Sequence, residues 1–372
     1  SDQQNGTYNC TFDTTGRPFG WHNIRMTANK QYYGSYPTPN ETLKTNAYFV
    51  ASAPSLSNPS LDHTLGGWGE LYTFSVQLTD TDKNYNNVSL WKSFDQINWV
   101  LVDSKLIQPT YSNYPVTFQE RFTCEDYLNA TNGKNYWKIN TTDIYGYSAE
   151  TSVFNFTLDV DNITVSIGSD SSSSVRRIGN NLAYFRFVVY DTDRGVYVSN
   201  ANGTVWITRD GSNYNFNLTC IASNGNCSVN YNPDCSSSVG IQYWKAGITD
   251  ACYQKLNTSS SSFTVYGQLN VSIIQPTYGK ILNRDKIASF NATVSNDCNQ
   301  QVNDASIGWY NSSLKLLASG YNTTWRVPAT YKLGSETIYI NTSRQYYDPN
   351  SNSTLVYIYG WSDISSIEPA NS

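Results

Sequence analysis

Two stretches of this 372-residue chain repeat each other segment by segment, and this repeat limits the fold more than any other feature. Residues 72–99 and 183–214 each carry an alternating apolar run ending in Asp-Thr-Asp, then an aliphatic-Trp pair, then an Asp turn followed by Asn and an aromatic residue. A later block, residues 133–143, returns as residues 240–250. Such internal repeats are the signature of modules joined in series. The sequence therefore predicts two homologous modules of about 105 residues each.

The first segment of each repeat alternates apolar and polar residues. Phe74, Val76 and Leu78 share one side, and Phe185 and Phe187 repeat the pattern. This period of two is that of a β-strand with one buried face. Six or seven such strands in about 100 residues, with a Trp on a mid-module strand, match an immunoglobulin-like or fibronectin-like sandwich. The predicted fold class is all-β, with tandem immunoglobulin-like β-sandwich domains.

Two tryptophans in each repeat are candidates for the core. Trp91 and Trp206 lie on the mid-module segment, which ends near an Asp-Gln or Asp-Gly turn. Trp137 and Trp244 lie on a later segment. We expect the first pair to mark the central strand and the second pair to supply a further core aromatic.

The strand pattern extends beyond the two repeats. We divide the chain into a partial module at 1–52, sandwiches at 53–160 and 161–268, the latter rich in disulfides, and a further sandwich at 269–372. The segments between these modules are very short. Short linkers between end-to-end sandwiches make a stiff array. We therefore expect the domains to form an elongated rod.

The partial module repeats half of the last one. Residues 8–33 recur as residues 321–347, with a single one-residue insertion between the two copies. About fifty residues of strand-like sequence precede the second copy within its module. By this comparison, residues 1–52 hold only the last three strands of a module. We expect either an excerpt of a longer tandem array or a module whose missing strands come from a neighbouring molecule.

Composition excludes two classes of partner. Only 14% of the residues are charged, the net charge is -5, and no basic cluster occurs. Nucleic acid binding needs a basic surface that neutralises phosphates, so we expect no nucleic acid partner. No run of about 18 apolar residues appears, so we expect no membrane insertion by this chain. The chain is predicted to be extracellular, at the cell surface.

Asn-x-Ser/Thr sequons occur throughout the chain, and chance accounts for only part of them in a sequence so rich in Asn, Ser and Thr. Their spread through every module predicts a secreted chain that carries N-linked glycans. The eighteen candidate acceptors are Asn5, Asn9, Asn40, Asn87, Asn129, Asn140, Asn155, Asn162, Asn202, Asn217, Asn226, Asn257, Asn270, Asn291, Asn311, Asn322, Asn341 and Asn352.

Four of the seven cysteines, Cys220, Cys227, Cys235 and Cys252, crowd into one module without histidines at zinc-ligand spacing. An extracellular chain favours disulfides. We predict two disulfides among these four residues, in any of three connectivities.

The other three cysteines are Cys10, Cys124 and Cys298. Cys10 is predicted either to pair with a cysteine from another molecule or from upstream sequence, or to remain a free buried thiol, or to pair with Cys124. The position in the last module that matches Cys10 is Thr323, on a strand commonly adjacent to the one that Cys298 ends. An intact relative of the first module would then carry both cysteines.

The two Asp-Thr-Asp turns are the candidate metal sites. Asp80 with Asp82, and Asp191 with Asp193, place two carboxylates on alternate positions at the end of a strand. Oxygen ligands of this kind suit Ca²⁺, which takes six to eight of them. The alternative is that each Asp caps its own turn through backbone hydrogen bonds. We expect no cofactor other than calcium at these positions.

The alternating run ending in Thr-Asp-Thr-Asp, the aliphatic-Trp strand and the late Trp strand resemble the tandem immunoglobulin-, cadherin- and PKD-like repeats of large prokaryotic surface proteins. The abundance of Asn, Ser, Tyr and sequons is most similar to archaeal versions. The resemblance covers residues 60–361. It implies a structural role in a surface layer, an adhesin or an extracellular filament. The chain lacks the dense acidic residues that cadherin repeats carry between domains.

The sequence favours a protein that is not an enzyme. The two histidines, His22 and His63, stand far apart, with no Ser-His-Asp or Cys-His arrangement. We expect an extracellular structural protein, a subunit of a glycosylated filament or surface layer assembled head to tail from copies of itself by strand or half-domain complementation. The alternatives are a stalk segment of a long adhesin and a glycan-binding protein with exposed aromatic residues on one face.

Overall fold

The computed structural model describes most of the chain. The described residues are 9–27, 31–32, 41–108, 112–130 and 133–362. The chain divides into two compact units, Ser1–Asn162 and Ile163–Ser372. Both are built almost wholly from strands, as predicted. Among the described residues, no helix is long and apolar enough to cross a membrane.

The first unit contains a two-stranded sheet and one sandwich. Its strands are β1 (Gly20–Thr27), β2 (Glu41–Val50), β3 (Ser55–Leu61), β4 (Leu65–Gly67), β5 (Leu71–Thr79), β6 (Asn86–Ser93), β7 (Val100–Ile107), β8 (Tyr114–Arg121), β9 (Asn135–Asp143), β10 (Ser148–Glu150) and β11 (Phe154–Asp159), with helix α1 at Cys124–Leu128. Strands β1 and β2 pair with each other. The sandwich has sheets in the order β3-β5-β8 and β4-β11-β9-β6-β7, with β10 beside β9.

The second unit contains two sandwiches. Its strands are β12 (Ile163–Ile167), β13 (Ser174–Arg176), β14 (Ala183–Asp191), β15 (Val196–Tyr197), β16 (Asn202–Ile207), β17 (Phe216–Ile221), β18 (Asn226–Tyr231), β19 (Gly240–Ile248), β20 (Ser261–Gln275), β21 (Lys280–Asn283), β22 (Ile287–Asn296), β23 (Ser306–Tyr310), β24 (Leu316–Ser319), β25 (Asn322–Arg326), β26 (Gly334–Ser343), β27 (Tyr347–Asp348) and β28 (Asn350–Tyr359).

All three sandwiches share one strand order. In the first, β4 pairs in parallel with the last strand, β11, while β3 pairs with β5 in the opposite sheet. In the second, β13 pairs in parallel with β20 and β12 pairs with β14. In the third, β21 pairs in parallel with β28 and β20 pairs with β22. An opening segment divided between two facing sheets is an immunoglobulin-like arrangement. We keep the predicted four-module boundaries as a proposal, because the contacts themselves divide the chain only into two units.

The cores follow the alternating pattern of the sequence. Phe74 and Leu78 on β5 are buried, as are Phe185 and Phe187 on β14. The ring of Phe74 meets that of Trp137 on the facing sheet at 5.1 Å. Apolar area removed from water in this way contributes about 25 cal/mol per Å². Burial of the alternating faces therefore holds each pair of sheets together.

The expectation for the tryptophans was right for one pair only. Trp137 and Trp244 are buried. Trp91 and Trp206 are only half-buried. The Trp91 indole donates to the Asn140 side chain at 2.8 Å. These two side chains lie on the outer face of their strands because the adjacent positions already fill the core.

The repeat between the first and last modules extends to unusual backbone angles. Gly20 and Gly334, which occupy the same position in the two copies, have φ of 113° and 106°. Tyr32 and Tyr346 also correspond and have φ of 67° and 62°. Non-glycine residues rarely adopt positive φ. The shared angles indicate that β1 is the counterpart of β26. The described part of residues 1–52 contains two strands, and the predicted third strand stays a prediction.

The predicted Asp turns also match between repeats. The Asp95 carboxylate accepts hydrogen bonds from the amides of Ile97 and Asn98, and Asp210 does the same in the second sandwich. Hydrogen bonds from the amide and side chain of Asn213 lower the pKa of Asp210 to about 2. The residue after each Asp has positive φ, 65° at Gln96 and 76° at Gly211.

Replacing Gln96 by Gly should stabilise the protein by about 0.5 to 1 kcal/mol, because a side chain in the left-handed region is strained and the equivalent residue is already Gly. The reverse change, Gly211→Gln, should destabilise, since a Cβ there would lie 3.2 Å from the carbonyl oxygen of Ile241. Urea unfolding measures both changes. Equal or lower stability of the Gln96→Gly variant would contradict this account.

Candidate functional site

The second and third sandwiches are joined without a loop. Strand β20 is fifteen residues long. Its first part pairs with β19 and β13 of the second sandwich. Its last part pairs with β22 of the third sandwich, and Gly267 and Gln268 between them pair with β27. The same strand therefore closes one sandwich and opens the next. We call the surroundings of these two residues the joint.

A buried ion pair crosses the joint. Arg177 follows β13, and Asp297 follows β22. The Arg177 Nε and Nη2 atoms donate to the two carboxylate oxygens of Asp297 at 2.9 and 2.7 Å. The two side chains are only 5% and 7% exposed. A two-point contact of this kind fixes orientation as well as distance.

Both partners have further hydrogen bonds. Arg177 Nη1 donates to the carbonyl oxygen of Ser237 at 3.0 Å. Asp297 Oδ1 accepts from the amide of Gln268 at 3.3 Å. Burial raises the pKa of Asp297, but the hydrogen bonds from Arg177 and Gln268 outweigh it, so the pKa lies below its ordinary value. The hydrogen bond to Asp297 raises the pKa of Arg177. The ionised pair is therefore the stable form in the folded chain.

A second ion pair lies beside the first and is open to water. Arg176 Nε lies 2.6 Å from Asp348 Oδ2, and the side chains are 53% and 36% exposed. Exposed pairs of this kind contribute about 0 to 1 kcal/mol. The buried pair is therefore the main electrostatic contact of the joint.

A disulfide also crosses the joint, which corrects the sequence prediction. Cys235 of the second sandwich bonds to Cys298 of the third. Cys220 bonds to Cys227 within the second sandwich. The prediction of two disulfides among Cys220, Cys227, Cys235 and Cys252 is therefore confirmed for Cys220 and Cys227 and wrong for the other two. The reason is that β22 ends directly beside the loop that holds Cys235, a proximity that sequence spacing does not reveal.

The remaining cysteines are Cys10, Cys124 and Cys252. Cys124 and Cys252 are also disulfide-bonded. Cys10 is free and exposed, so it is neither a buried thiol nor paired with Cys124. Pairing of Cys10 with another molecule remains a prediction.

Two tyrosines pack closely on the joint. A Cβ atom on Gly267 would lie 2.6 Å from the Tyr347 ring and 2.9 Å from Val239. A Cβ atom on Gly240 would lie 3.4 Å from the Tyr346 ring. Only a glycine at 267 allows the two sandwiches to approach this closely.

The Asp-Thr-Asp turns lie at the ends of β5 and β14, as predicted, and are not part of the joint. Asp80 is 2% exposed and Asp191 is fully buried. Burial and the neighbouring Asp82 carboxylate raise the pKa of Asp80 to about 6. Asp191 instead forms an ion pair with Arg194. In the part of the chain that the structure describes, no three His, Cys, Asp or Glu side chains are grouped closely enough to hold a metal.

Most predicted glycan acceptors face solvent. Asn5 and Asn40 lie outside the described residues. Twelve of the other sixteen are exposed. Asn140, Asn226 and Asn291 are half-buried, and Asn311 is 8% exposed. Attachment of glycan to the exposed set remains a prediction.

The two histidines lie in separate surroundings. His22 Nε2 lies 2.6 Å from the carbonyl oxygen of Pro18. His63 lies 2.9 Å from Asp62 and 3.5 Å from Glu70. These contacts to carboxylates and a carbonyl group orient the two imidazole rings.

Comparisons with known proteins add solved structures only. No family model matches the chain. No curated protein matches it either. A tetra-tandem repeat from the extending region of a large adhesion protein covers 82% of this chain and 74% of its own, at 17% identity and a TM-score of 0.35. A 1.5-MDa bacterial ice-binding adhesin structure covers 83% and 99%, at 13% identity and a TM-score of 0.29.

The fibronectin(III)-like modules of Clostridium thermocellum CbhA cover 53% of this chain and 95% of their own, at 12% identity and a TM-score of 0.25. At these values the likenesses carry no conclusion about function. The strand order and the joint of the chain itself define it as a protein of tandem immunoglobulin-like β-sandwiches.

Replacing Asp297 by Asn should destabilise the second unit by about 3 to 5 kcal/mol at neutral pH, because Arg177 keeps a buried charge without its partner. The native pair stabilises fully above the unfolded pKa of Asp297, near 3.8. That contribution is lost as the pH falls through the lower folded pKa. The variant should therefore lose less stability than the native protein between pH 5 and pH 2, in about the range where a paired Asp titrates.

Denaturant unfolding at several pH values measures this effect, and Asp348→Asn serves as the matched control. The Asp348→Asn variant should lose less than about 1 kcal/mol of unfolding free energy, because Arg176, the partner of Asp348, is exposed. Equal losses for the two variants would contradict the assignment of the main contact to Arg177 and Asp297.

Asn311 should remain unmodified in material whose exposed sequons carry glycan. Its side-chain nitrogen donates to the Tyr331 hydroxyl at 3.1 Å, and its oxygen accepts from the amides of Ser313 and Lys315. A glycan needs that nitrogen and open space around it. Glycopeptide mass spectrometry of native material measures occupancy, with the exposed Asn322 as comparison. Full occupancy at Asn311 would contradict the packing described for this turn.

Proposed function

We propose that this chain is a secreted structural protein, a stalk in which β-sandwiches are held in series at the cell surface. The observation that carries the proposal is the joint between the second and third sandwiches. A shared strand, a buried ion pair and a disulfide all fix one sandwich on the next. Proteins whose domains move to bind or to catalyse usually have smaller interfaces between domains. A fixed joint suits a protein that transmits position or force.

The disulfide carries force past the shared strand. Cys235 and Cys298 are 63 positions apart in sequence. Tension that reaches Cys235 from the N-terminal side crosses the disulfide to Cys298 and continues toward the C-terminus. The disulfide therefore limits how far the second and third sandwiches can separate under tension.

Stretching the full chain from its ends in a force spectrometer tests the proposal. The oxidised protein should release less contour length than the Cys235→Ala, Cys298→Ala variant, because the disulfide shortens the extensible path by about 3.5 Å for each residue that it bypasses. The Cys220→Ala, Cys227→Ala variant is the matched control. Its disulfide spans only 7 positions, so its gain in contour length should be at most about 25 Å and smaller than that of the first variant. Equal contour lengths for the oxidised protein and the first variant would overturn the proposed mechanical role of the disulfide.

Extracellular placement and glycosylation belong to the same proposal. Disulfides persist in oxidising compartments. The exposed sequons provide attachment points for N-linked glycans over both units. A surface covered with glycan resists proteases and non-specific contact, which suits a stalk that stays outside the cell.

The first module supports a finer version, in which copies of the chain assemble head to tail. Ile338 and Ile340 on β26 are fully buried. The equivalent residues on β1 are Ile24, which is half-buried, and Met26, which is 61% exposed. Strand β26 pairs with β23 and β28, whereas β1 pairs with β2 in a sheet of two strands among the described residues. We propose that strands from the preceding subunit cover this sheet.

A tyrosine near the end of the repeated segment also supports head-to-tail assembly. Tyr346, which packs at the joint, corresponds to Tyr32, which is 93% exposed. The first module therefore carries the tyrosine that the third module places against its predecessor. We propose that a preceding sandwich, from another copy of the chain, packs against Tyr32.

Light scattering and negative-stain microscopy of the native material test assembly. Native protein should form filaments, and Met26→Glu should reduce them at least tenfold, because a charge in a covered sheet face is unfavourable. Leu314→Glu, at an exposed site on the third sandwich, should leave assembly unchanged. Native material that stays monomeric would overturn the filament version and favour a stalk segment within a longer polypeptide.

A further inference from the structure

The loop between β5 and β6 presents oxygen-bearing side chains at every second position. These are Asp80, Asp82, Asn84 and Asn86. Asp80, Asn84 and Asn86 are at least nine-tenths buried. The amide nitrogen of Asn86 donates to Asp80 Oδ2 at 2.6 Å and to the carbonyl oxygen of Asn84 at 2.9 Å. The loop thus gathers carboxylate, carbonyl and amide groups in one small volume.

Several polar atoms in this volume have no partner. Asp80 Oδ1, Asp82 Oδ1 and Asn84 Nδ2 are buried and make no hydrogen bond in the structure. Asp82 Oδ2 accepts from the amide of Ser52 at 2.7 Å, which holds that carboxylate in place. The Asp80 and Asp82 carboxylates lie within hydrogen-bonding reach of each other. Each carboxylate thus has one oxygen with a donor and one without, and two carboxylates this close are unfavourable unless a proton or a positive charge compensates them.

In the second sandwich, an arginine of the same loop compensates the equivalent buried carboxylate. Asp191 occupies the position of Asp80 and is fully buried. Arg194 donates to one of its carboxylate oxygens, and the amides of Asp193 and Arg194 donate to the other. In the first sandwich the corresponding carboxylate, Asp80, keeps one oxygen without a hydrogen bond. The two modules therefore differ in the hydrogen bonds that this carboxylate receives.

A buried carboxylate on the neighbouring strand adds to the negative charge. Asp143 on β9 lies directly opposite Asn86 on β6. It is 6% exposed, and its Oδ2 atom has no hydrogen-bond partner. Its other oxygen accepts from the amides of Tyr145 and Tyr147. Asp143 is too distant to complete a group of three acids with Asp80 and Asp82 in the described structure.

We propose that Asp80 and Asp82 bind one calcium ion in the loop between β5 and β6, with Asn84 and water as further oxygen ligands. The oxygen and nitrogen of an Asn side chain are interchangeable by rotation, so the unpartnered end of Asn84 can present its oxygen. Ca²⁺ accepts six to eight oxygens in irregular geometry, whereas Mg²⁺ demands an octahedron. Two carboxylates with neutral ligands correspond to the weak sites of extracellular modules, with a Kd of about 10⁻⁴ to 10⁻³ M.

The test uses the full chain after treatment with a chelator. Calcium at about ten times the Kd should raise the unfolding temperature of the first unit by about 3 to 6 °C at pH 7. Terbium should show emission sensitised by Tyr85, which lies in the loop, and calcium should displace it. Magnesium at equal ionic strength should give a much smaller shift.

Variants locate the site. Asp82→Asn, at a half-buried position, and Asp80→Asn with Asp82→Asn should both lose the calcium shift and the terbium emission. The matched control is Asp193→Asn in the homologous loop, which should keep both. Since the terbium readout needs only a folded chain, it remains informative where stability changes.

Two outcomes overturn the proposal. Native protein without a calcium shift or terbium emission would mean that a proton, rather than a metal ion, is shared between the two carboxylates. A shift that persists in both loop variants would place calcium elsewhere. Loss of the calcium shift and of the terbium emission in the Asp80 and Asp82 variants, with both retained in the Asp193→Asn control, supports the site.

Discussion

Strand β20 belongs to two sandwiches at once, and the remaining contacts of the second unit depend on this sharing. Because the strand continues through Gly267 and Gln268, the end of β13 and the end of β22 arrive at the same place. Arg177 and Asp297 then meet beside the strand. The disulfide between Cys235 and Cys298 forms next to them. A flexible linker in place of the shared strand would separate all of these contacts.

Much of the fold could be predicted from the sequence, because a period of two is a local property. The alternating segments predicted from Phe74 to Leu78 and at Phe185 and Phe187 lie within β5 and β14. Short strands such as β21 and β27 carried no signal, because two to four residues show no periodicity. The sequence pattern does not predict the joint, and the reason is different. Arg177 and Asp297 are 120 positions apart, and neither has a motif that would reveal its partner.

The repeats show how the same backbone tolerates different chemistry. The Asp95 and Asp210 turns keep the same hydrogen bonds although the next residue changes from Gln to Gly. The turns at Asp80 and Asp191 keep a buried carboxylate but differ in what neutralises it. The first module keeps the angles of its counterpart at Gly20 while its apolar face stays open. Backbone geometry is thus retained where compensating contacts have diverged.

Peptide mapping of the non-reduced native protein by mass spectrometry tests the central claim most directly. If the joint has the structure described, a proteolytic peptide containing Cys235 will be linked to one containing Cys298. A link from Cys235 to Cys220, Cys227 or Cys252 would place the disulfide within one sandwich. That result would remove the covalent connection on which the account of a force-bearing joint rests.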